Sequence, residues 1–360
     1  MPALFLVADD LTGALDSGAA FAARGMRTAV ARGAAALPAA LATGADVIAV
    51  STGTRERPAT EAREVHAGLR AAMPLGGAIL FKKIDSRLKG NIAAELDGLL
   101  GADPRPVFAC PALPRLGRRV EGGALAGTAV AEPIPIAPRI GRPAAIPDIA
   151  SEADLNAALP ADPRASVLVG AAGLAEALAR RLCPGTPPRP AAPLRLPLLL
   201  AIGSRDPVTL AQLAAIRAHP VHAAPNGALP QVPDAPLRIL QMTAGPAAEP
   251  PAVVSDRFAA GLAQLVRAQP PAAVLACGGE TADALLGALG AELLLLEGEL
   301  APGIPVAQLS GPGEMLRIAT KSGGFGGPDA LQTVIDAALA ASSRPARAPG
   351  AKPPTAPVHR

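Results

Sequence analysis

ALFLVADDLTGALDSGAAFAAR, residues 3–24, is the stretch from which the fold class can be read. Residues 3–8 form a short, unbroken apolar run of strand length. From residue 14 to residue 24 the chain turns to small and straight-chain helix formers. An unbroken apolar run suits a strand covered on both faces, and a helix directly behind it begins a βαβ unit. Asp9, Asp10, Thr12 and Gly13 occupy the turn between them. Ligands of open α/β sheets gather at the carboxyl ends of strands, so this turn is the first place to look for chemistry.

The same alternation continues outward. Apolar runs at 46–51, 78–84, 106–110 and 165–170 predict strands, and 59–72, 91–100 and 172–182 predict helices. PGTPPRPAAPLRLP, 184–197, then interrupts the pattern with prolines that fit neither a helix interior nor a central strand. A second alternation follows, with strands at 198–202, 237–242 and 272–277 and helices at 207–218, 256–268 and 281–289. Short strands near 293–297, 304–309 and 315–320 lead to a last helix at 328–341. The pattern predicts two α/β domains with mainly parallel sheets, 1–183 and 198–343, joined by a linker at 184–197. The active site is expected in the crevice between them. The basic, proline-rich tail 344–360 is expected to be disordered.

Composition narrows the function. The chain has 360 residues, 50% hydrophobic and 18% charged, which excludes a disordered body. Its net charge of +3 falls to −1 without Arg344, Arg347, Lys352 and Arg360, so the basicity belongs to the tail. With no Trp, no Tyr and six Phe there is little to stack on bases, and nucleic acid is not an expected partner. No charge-free apolar run reaches the length of a membrane span. The start lacks the basic flank of a secretory leader, and Cys110, Cys183 and Cys277 are few and far apart. A cytoplasmic protein is expected.

Three constellations carry candidate chemistry. Asp9 and Asp10 are adjacent carboxylates suited to binding hydroxyls, holding a metal or taking a proton. Capping the following helix would account for one of them. The second constellation is FKKIDSRLKGN, 81–91, in which Lys82, Lys83, Ile84, Asp85 and Ser86 end a strand with cations, a carboxylate and a hydroxyl. That suits an anionic, hydroxylated small molecule, although a solvated loop has the same composition. Strand alternation would put Lys83 and Asp85 on one face, and Arg55 follows the neighbouring strand. The chain has 28 Arg and only five Lys, and four of those lysines lie in this segment or at Lys321. They are candidates for positions where a compact ammonium suits better than a planar guanidinium, although a rare residue can also cluster by chance.

The third constellation is three glycine-bearing strand ends: Gly203-Ser204, Gly278-Gly279-Glu280-Thr281 and Lys321-Ser322-Gly323-Gly324. Each pairs close backbone approach with a following helix or turn whose N–H groups face phosphate. They predict a nucleotide pocket that is not a Walker A loop, since Met315 and Thr320 stand where glycines would be needed. His66, His219, His222 and His359 are too scattered for a zinc site, and no G-x-S-x-G elbow is present.

Taken together, ADDLTGA (8–14), KIDSRLKGN (83–91), PALPRLGRRVEGG (111–123), GAAGLAEAL (170–178), GSRDPVTLAQL (203–213), GGETADALLGALG (278–290) and KSGGFGG (321–327) resemble the four-carbon acid sugar kinases in order and over nearly the whole chain. The resemblance implies an ATP-dependent kinase acting with Mg²⁺ on the terminal hydroxyl of a tetronate such as D-threonate or D-erythronate. The N-terminal domain would hold the acid and the C-terminal domain the nucleotide. Carried over, Asp9, Asp10, Arg55 and Lys82 to Ser86 would contact substrate, with Asp10 or Asp85 as base. Ser204, Gly278 to Thr281, Lys321, Gly323 and Gly324 would contact ATP. The form KIDSRLKGN is closer to the threonate/erythronate branch than to the 3-oxo-tetronate branch. A homodimer is implied by the resemblance alone. The segment 123–147 is shorter than the family pattern. Two alternatives are therefore a non-catalytic sugar-acid and nucleotide sensor on the same scaffold, and a kinase for another polyhydroxy acid.

Overall fold

The apolar runs become strands because their residues can be buried on both faces. Leu4 to Ala8 and Val47 to Val50 are almost wholly inaccessible. The computed structural model describes residues 1–216, 218–309 and 316–343, so the tail 344–360 and the segment 310–315 lie outside the described residues. In chain order the first half comprises β1 (Leu4–Ala8), α1 (Leu11–Ala22), β2 (Thr28–Arg32), α2 (Leu37–Ala42), β3 (Val47–Ser51), α3 (Ala59–Ala72), β4 (Ile79–Lys83) and α4 (Ile92–Leu100). It continues with β5 (Val107–Cys110), β6 (Arg118–Glu121), β7 (Ala124–Gly127), β8 (Ile134–Pro135), α5 (Ile136–Ile140), β9 (Ala144–Ala145), α6 (Glu152–Ala158), β10 (Val167–Gly170) and α7 (Ala172–Leu182). Beyond the proline-rich stretch come β11 (Leu198–Ile202), α8 (Pro207–Ala214), β12 (Val221–Pro225), β13 (Leu237–Thr243), α9 (Pro251–Ala268) and β14 (Ala273–Cys277). The last elements are α10 (Gly279–Leu289), β15 (Leu293–Glu299), β16 (Pro305–Leu309), β17 (Arg317–Lys321) and α11 (Ala330–Ser343).

The expected α/β class holds, with one architectural difference. The strands form a single 14-stranded sheet, in the order β12-β13-β11-β14-β17-β16-β15-β2-β3-β1-β4-β10-β5-β9, where two sheets were expected. The seam is the antiparallel pair β15–β2, with Leu293 opposite Ala31 and Leu296 opposite Thr28. The strand β2 reads TAVAR, no shorter than β1 or β3 but too small-sided to stand out as a strand. Pairing satisfies backbone groups that would otherwise form an open edge. On each side of the seam the parallel registers bring strand ends level: Ala8 beside Ser51 and Lys83, and Cys277 beside Ile202 and Lys321. The loops that follow therefore meet along one rim.

The stretch 184–197 differs from a free linker. Ala191 and Leu194 are buried, Ala191 N donates to Glu299 O at 2.7 Å, and Arg317 donates to the carbonyls of Ala192 and Pro193. The short segment after residue 117 folds as a separate three-stranded sheet, β6-β7-β8. Among the described residues no helix is long and apolar enough to cross a membrane.

Candidate functional site

The turn after β1 splits its two aspartates between different tasks. Asp9 is almost fully buried and takes a two-pronged ion pair from Arg55, Nε and Nη2 both at 2.8 Å. Asp10, with its side chain 27% exposed, caps α1 by accepting from Gly13 N at 2.8 Å and takes Arg55 Nη1 at 2.5 Å. Gly90, at φ 88, lets the next loop lie directly on this cluster; a Cβ there would sit 3.1 Å from Asp9 Oδ2. Burial raises the Asp9 carboxyl, but Lys82, Arg55 and Lys83 together overcome it and hold the group below the ordinary carboxylate range. For Asp10 burial wins. Its pKa is raised, with Asp9 adding to the rise and Arg55 and Lys83 opposing it.

Alternation along β4 sends its two lysines to opposite faces. Lys82, completely buried, pairs with Glu95 of α4 at 2.7 Å, and Glu95 also accepts from Thr54 Oγ1 at 2.6 Å. Lys83 points to the α1 side, where its ammonium donates to Ile84 O at 2.9 Å and lies beside Gly13. Ile84 is buried. The strand ends at Lys83, so the expectation that Asp85 shares its face by strand phase does not apply. Asp85 Oδ1 instead accepts from Arg87 N at 2.9 Å and shapes the loop. Leu88 in the same loop is a buried non-glycine residue at φ 58, a left-handed conformation that costs about 1 kcal/mol or more. The Ser86 hydroxyl accepts from Arg118 Nη1 at 2.8 Å.

The opposite wall is built from backbone. Gly278, at φ 108, ends β14 and opens α10, so the first N–H groups of that helix face the rim. Gly203 and Ser204 both donate from N to Cys277 O, and a Cβ on Gly203 would lie 1.9 Å from Thr281 Oγ1. Asp206 caps α8 through Val208 N. The loop after β17 is held from beneath. Lys321, fully buried, donates to Ser322 O and Gly323 O, and Gln212 Nε2 donates to the carbonyls of Phe325, Gly326 and Gly327.

These walls enclose a cleft of about 770 Å³ that continues into a smaller lobe of about 400 Å³. Asp10, Arg55, Asp85, Ser86, Ser204, Gly278 to Thr281, Gly323 and Gly324 line one or both parts, and Asp9 reaches the smaller one. Lys82, Lys83, Ile84 and Lys321 are absent from the lining: they support it from behind. Sequence reasoning did not single out Arg87, Arg118, Thr128 or Arg205, which also face the cleft. Arg118 and Thr128 arrive there through the small sheet; Arg118 lies within the motif PALPRLGRRVEGG, but that pattern alone does not say that it faces the cleft.

A second charged group lies where the two halves meet. Arg115 contacts Glu176 at 2.9 Å and Asp16 at 3.9 Å. Burial raises the Asp16 and Glu176 carboxyls, and pushes Glu299 up to about 7, with neighbouring Asp16 contributing.

Two family models match separate parts of the chain. The family model described as a sugar-binding N-terminal domain matches residues 4–137, and that described as a nucleotide-binding C-terminal domain matches residues 230–331. A D-threonate kinase of Bordetella bronchiseptica is 33% identical over 394 aligned positions, covering 92% of this chain and 96% of the relative. A D-threonate kinase of Cupriavidus necator is 32% identical, covering 91% and 95%. The 394 positions exceed the length of this chain, so that relative carries residues with no counterpart here. The crystal structure of a protein described as a putative tRNA synthase from Salmonella typhimurium superimposes with a TM-score of 0.71 at 20% identity, covering 91% and 97%, and shares the fold.

Proposed function

The chain belongs to the four-carbon acid sugar kinase family, and from that premise we propose that it transfers the γ-phosphoryl group of ATP to the terminal hydroxyl of a tetronate such as D-threonate or D-erythronate. The observation that carries this reading is the opposition of the two walls. A partly exposed carboxylate with a raised pKa faces the N-terminus of α10 and the glycine-bearing loop after β17 across one cleft. Phosphoryl transfer asks chiefly for positioning and charge neutralisation, and these walls offer both.

The N–H groups at Gly279 to Thr281 and in the Ser322–Gly324 loop, with the Ser204 hydroxyl, would receive the polyphosphate. Asp10 would hold the attacking hydroxyl and accept its proton. A raised pKa brings a carboxylate nearer the working pH and improves it as a base. Asp85 is the other candidate for that role: its Oδ1 accepts from Arg87 N within its own loop, as Asp10 Oδ1 accepts from Gly13 N. Arg55, held by two carboxylates, orients the pair of aspartates and has little charge left to offer.

Among the described residues no group of three or more metal-ligating side chains exists. That donor set fits Mg²⁺ carried mainly by phosphate oxygens and water, with Asp10, Asp85 or Glu280 as protein ligands. Such an ion would neutralise charge on the transferring group. Three free thiols, two of them buried, accord with a reducing cytoplasmic setting.

The test is ADP release with Mg-ATP against D-threonate, D-erythronate and 3-oxo-tetronates. Acid-dependent release should fall roughly 10²–10⁴-fold in Asp10→Asn. Because the ionised carboxylate is the active form and its pKa is raised, activity should rise with pH through a limb above the ordinary aspartate value of about 3.9. The residues missing relative to the longer relative favour a second reading, a sensor that binds both ligands without turnover. Saturable ATP binding with no ADP release from any acid would select it.

A further inference from the structure

Resting on that reading, we propose that Arg118 is the residue that takes the substrate's carboxylate and so sets the preference for an acid over a neutral polyol. The argument is an inventory of charge on the acid-side wall. Arg55 is shared by Asp9 and Asp10, and Lys82 is neutralised by Glu95. The Lys83 ammonium is buried against Ile84 O, beside Gly13 and the Asp10 carboxylate, and lines neither part of the cleft. Arg87 and Lys89 face the cleft but are exposed, where water screens them and their side chains are costly to fix.

Arg118 differs from all of these. Its Nε donates to Thr128 O at 3.1 Å and its Nη1 to Ser86 Oγ at 2.8 Å, two neutral acceptors that hold the guanidinium without cancelling its charge. Among the described residues no carboxylate forms an ion pair with it. Asp85 lies nearby, and Arg87 and Arg115 repel it. A half-buried, pre-oriented and uncompensated planar cation is suited to two-pronged recognition of a carboxylate. Nucleotide phosphate is the other anion of the cleft, but it already has the N-terminus of α10, the Ser322–Gly324 loop and Arg205 on the opposite wall. Arg118 instead shares its anchor, Ser86, with the loop of Asp85.

The experiment measures binding by calorimetry and turnover by ADP release, for wild type, Arg118→Gln, Arg118→Lys and Ser86→Ala. The probes are D-threonate, its C1 amide and ATP. Arg118→Gln should weaken D-threonate binding about 30-fold or more and abolish the preference for acid over amide, with ATP affinity changed less than about twofold. Arg118→Lys, which keeps charge but not the fork, should fall between. Ser86→Ala, which leaves the arginine in place but loosens it, should raise KM for the acid several-fold, by a larger factor than it lowers kcat. The last two variants keep the test valid if Arg118→Gln does not fold.

Equal acid binding in wild type and the Arg118 variants, or a loss confined to ATP, would overturn the assignment and leave the kinase reading intact. Acid binding that depends on Arg118 without any ADP release would support the assignment and sink the kinase reading. No acid binding by wild type would sink both.

Discussion

The two walls of the cleft are made differently. On the β1–β4 side the working parts are charged side chains, and most are paired with one another: Asp9 and Asp10 with Arg55, Lys82 with Glu95. On the β11–β17 side they are backbone groups, freed by glycine and a helix N-terminus and held in place by Lys321, Thr209 and Gln212 from below. A hydroxylated acid must be recognised by groups that can be matched to its few polar atoms, whereas a polyphosphate accepts any array of N–H donors. The first wall should fail when a charge loses its partner. The second should fail when a methyl group is added.

The largest effect expected from this contrast is on the charged wall. Glu95→Gln leaves the Lys82 ammonium completely buried with no direct ion-pair partner, and should cost about 3–5 kcal/mol in chemical denaturation. Replacing both partners, Lys82→Met with Glu95→Leu, should recover most of that loss. If Glu95→Gln were nearly neutral, the pair would not be what holds this wall.

On the backbone wall, Gly203→Ala introduces a Cβ that cannot coexist with Thr281 Oγ1 and should cost about 1–3 kcal/mol while raising KM for ATP. Thr281→Ala in the same chain should restore part of the stability, a coupling that a double-mutant cycle measures. Additive losses would show that the two residues do not meet.

The smallest effect lies at the seam. Glu299 has a folded pKa of about 7 against an ordinary 4.5, so the stability tied to its protonated form is complete below pH 4.5 and is lost as pH rises through 7. Asp16 and Glu176 are raised too and add to the same slope. Glu299→Gln should therefore flatten the fall in Tm between pH 5 and pH 8.5, by an amount corresponding to about 1–2 kcal/mol. An unchanged slope would place the titration elsewhere in the cluster.

Much of this molecule was legible before any coordinates. Strand ends such as those at Ala8, Cys277 and Lys321 announce themselves because apolar period and loop chemistry change at the same residue. The helices at 59–72 and 172–182 begin and end where their composition says they should. Other features depend on contacts between residues distant in sequence. The strand β2 is a strand because β3 and β15 flank it, not because TAVAR is strongly strand-like. Lys82 and Lys83, adjacent in sequence and alike in charge, end up in a buried ion pair and beside the Asp10 turn respectively, since alternation assigns faces but not partners.

The sequence by itself determined the α/β class, the strand ends that meet at the rim and the kinds of groups gathered there, because period and residue chemistry are local properties. Tertiary structure alone decided that the halves share one sheet, that Arg55 is spent on two aspartates, and that Arg118 comes from a small separate sheet to face the cleft uncompensated. Whether a charge is free or cancelled depends on what lies within a few ångströms, and those neighbours are set by the packing of distant segments.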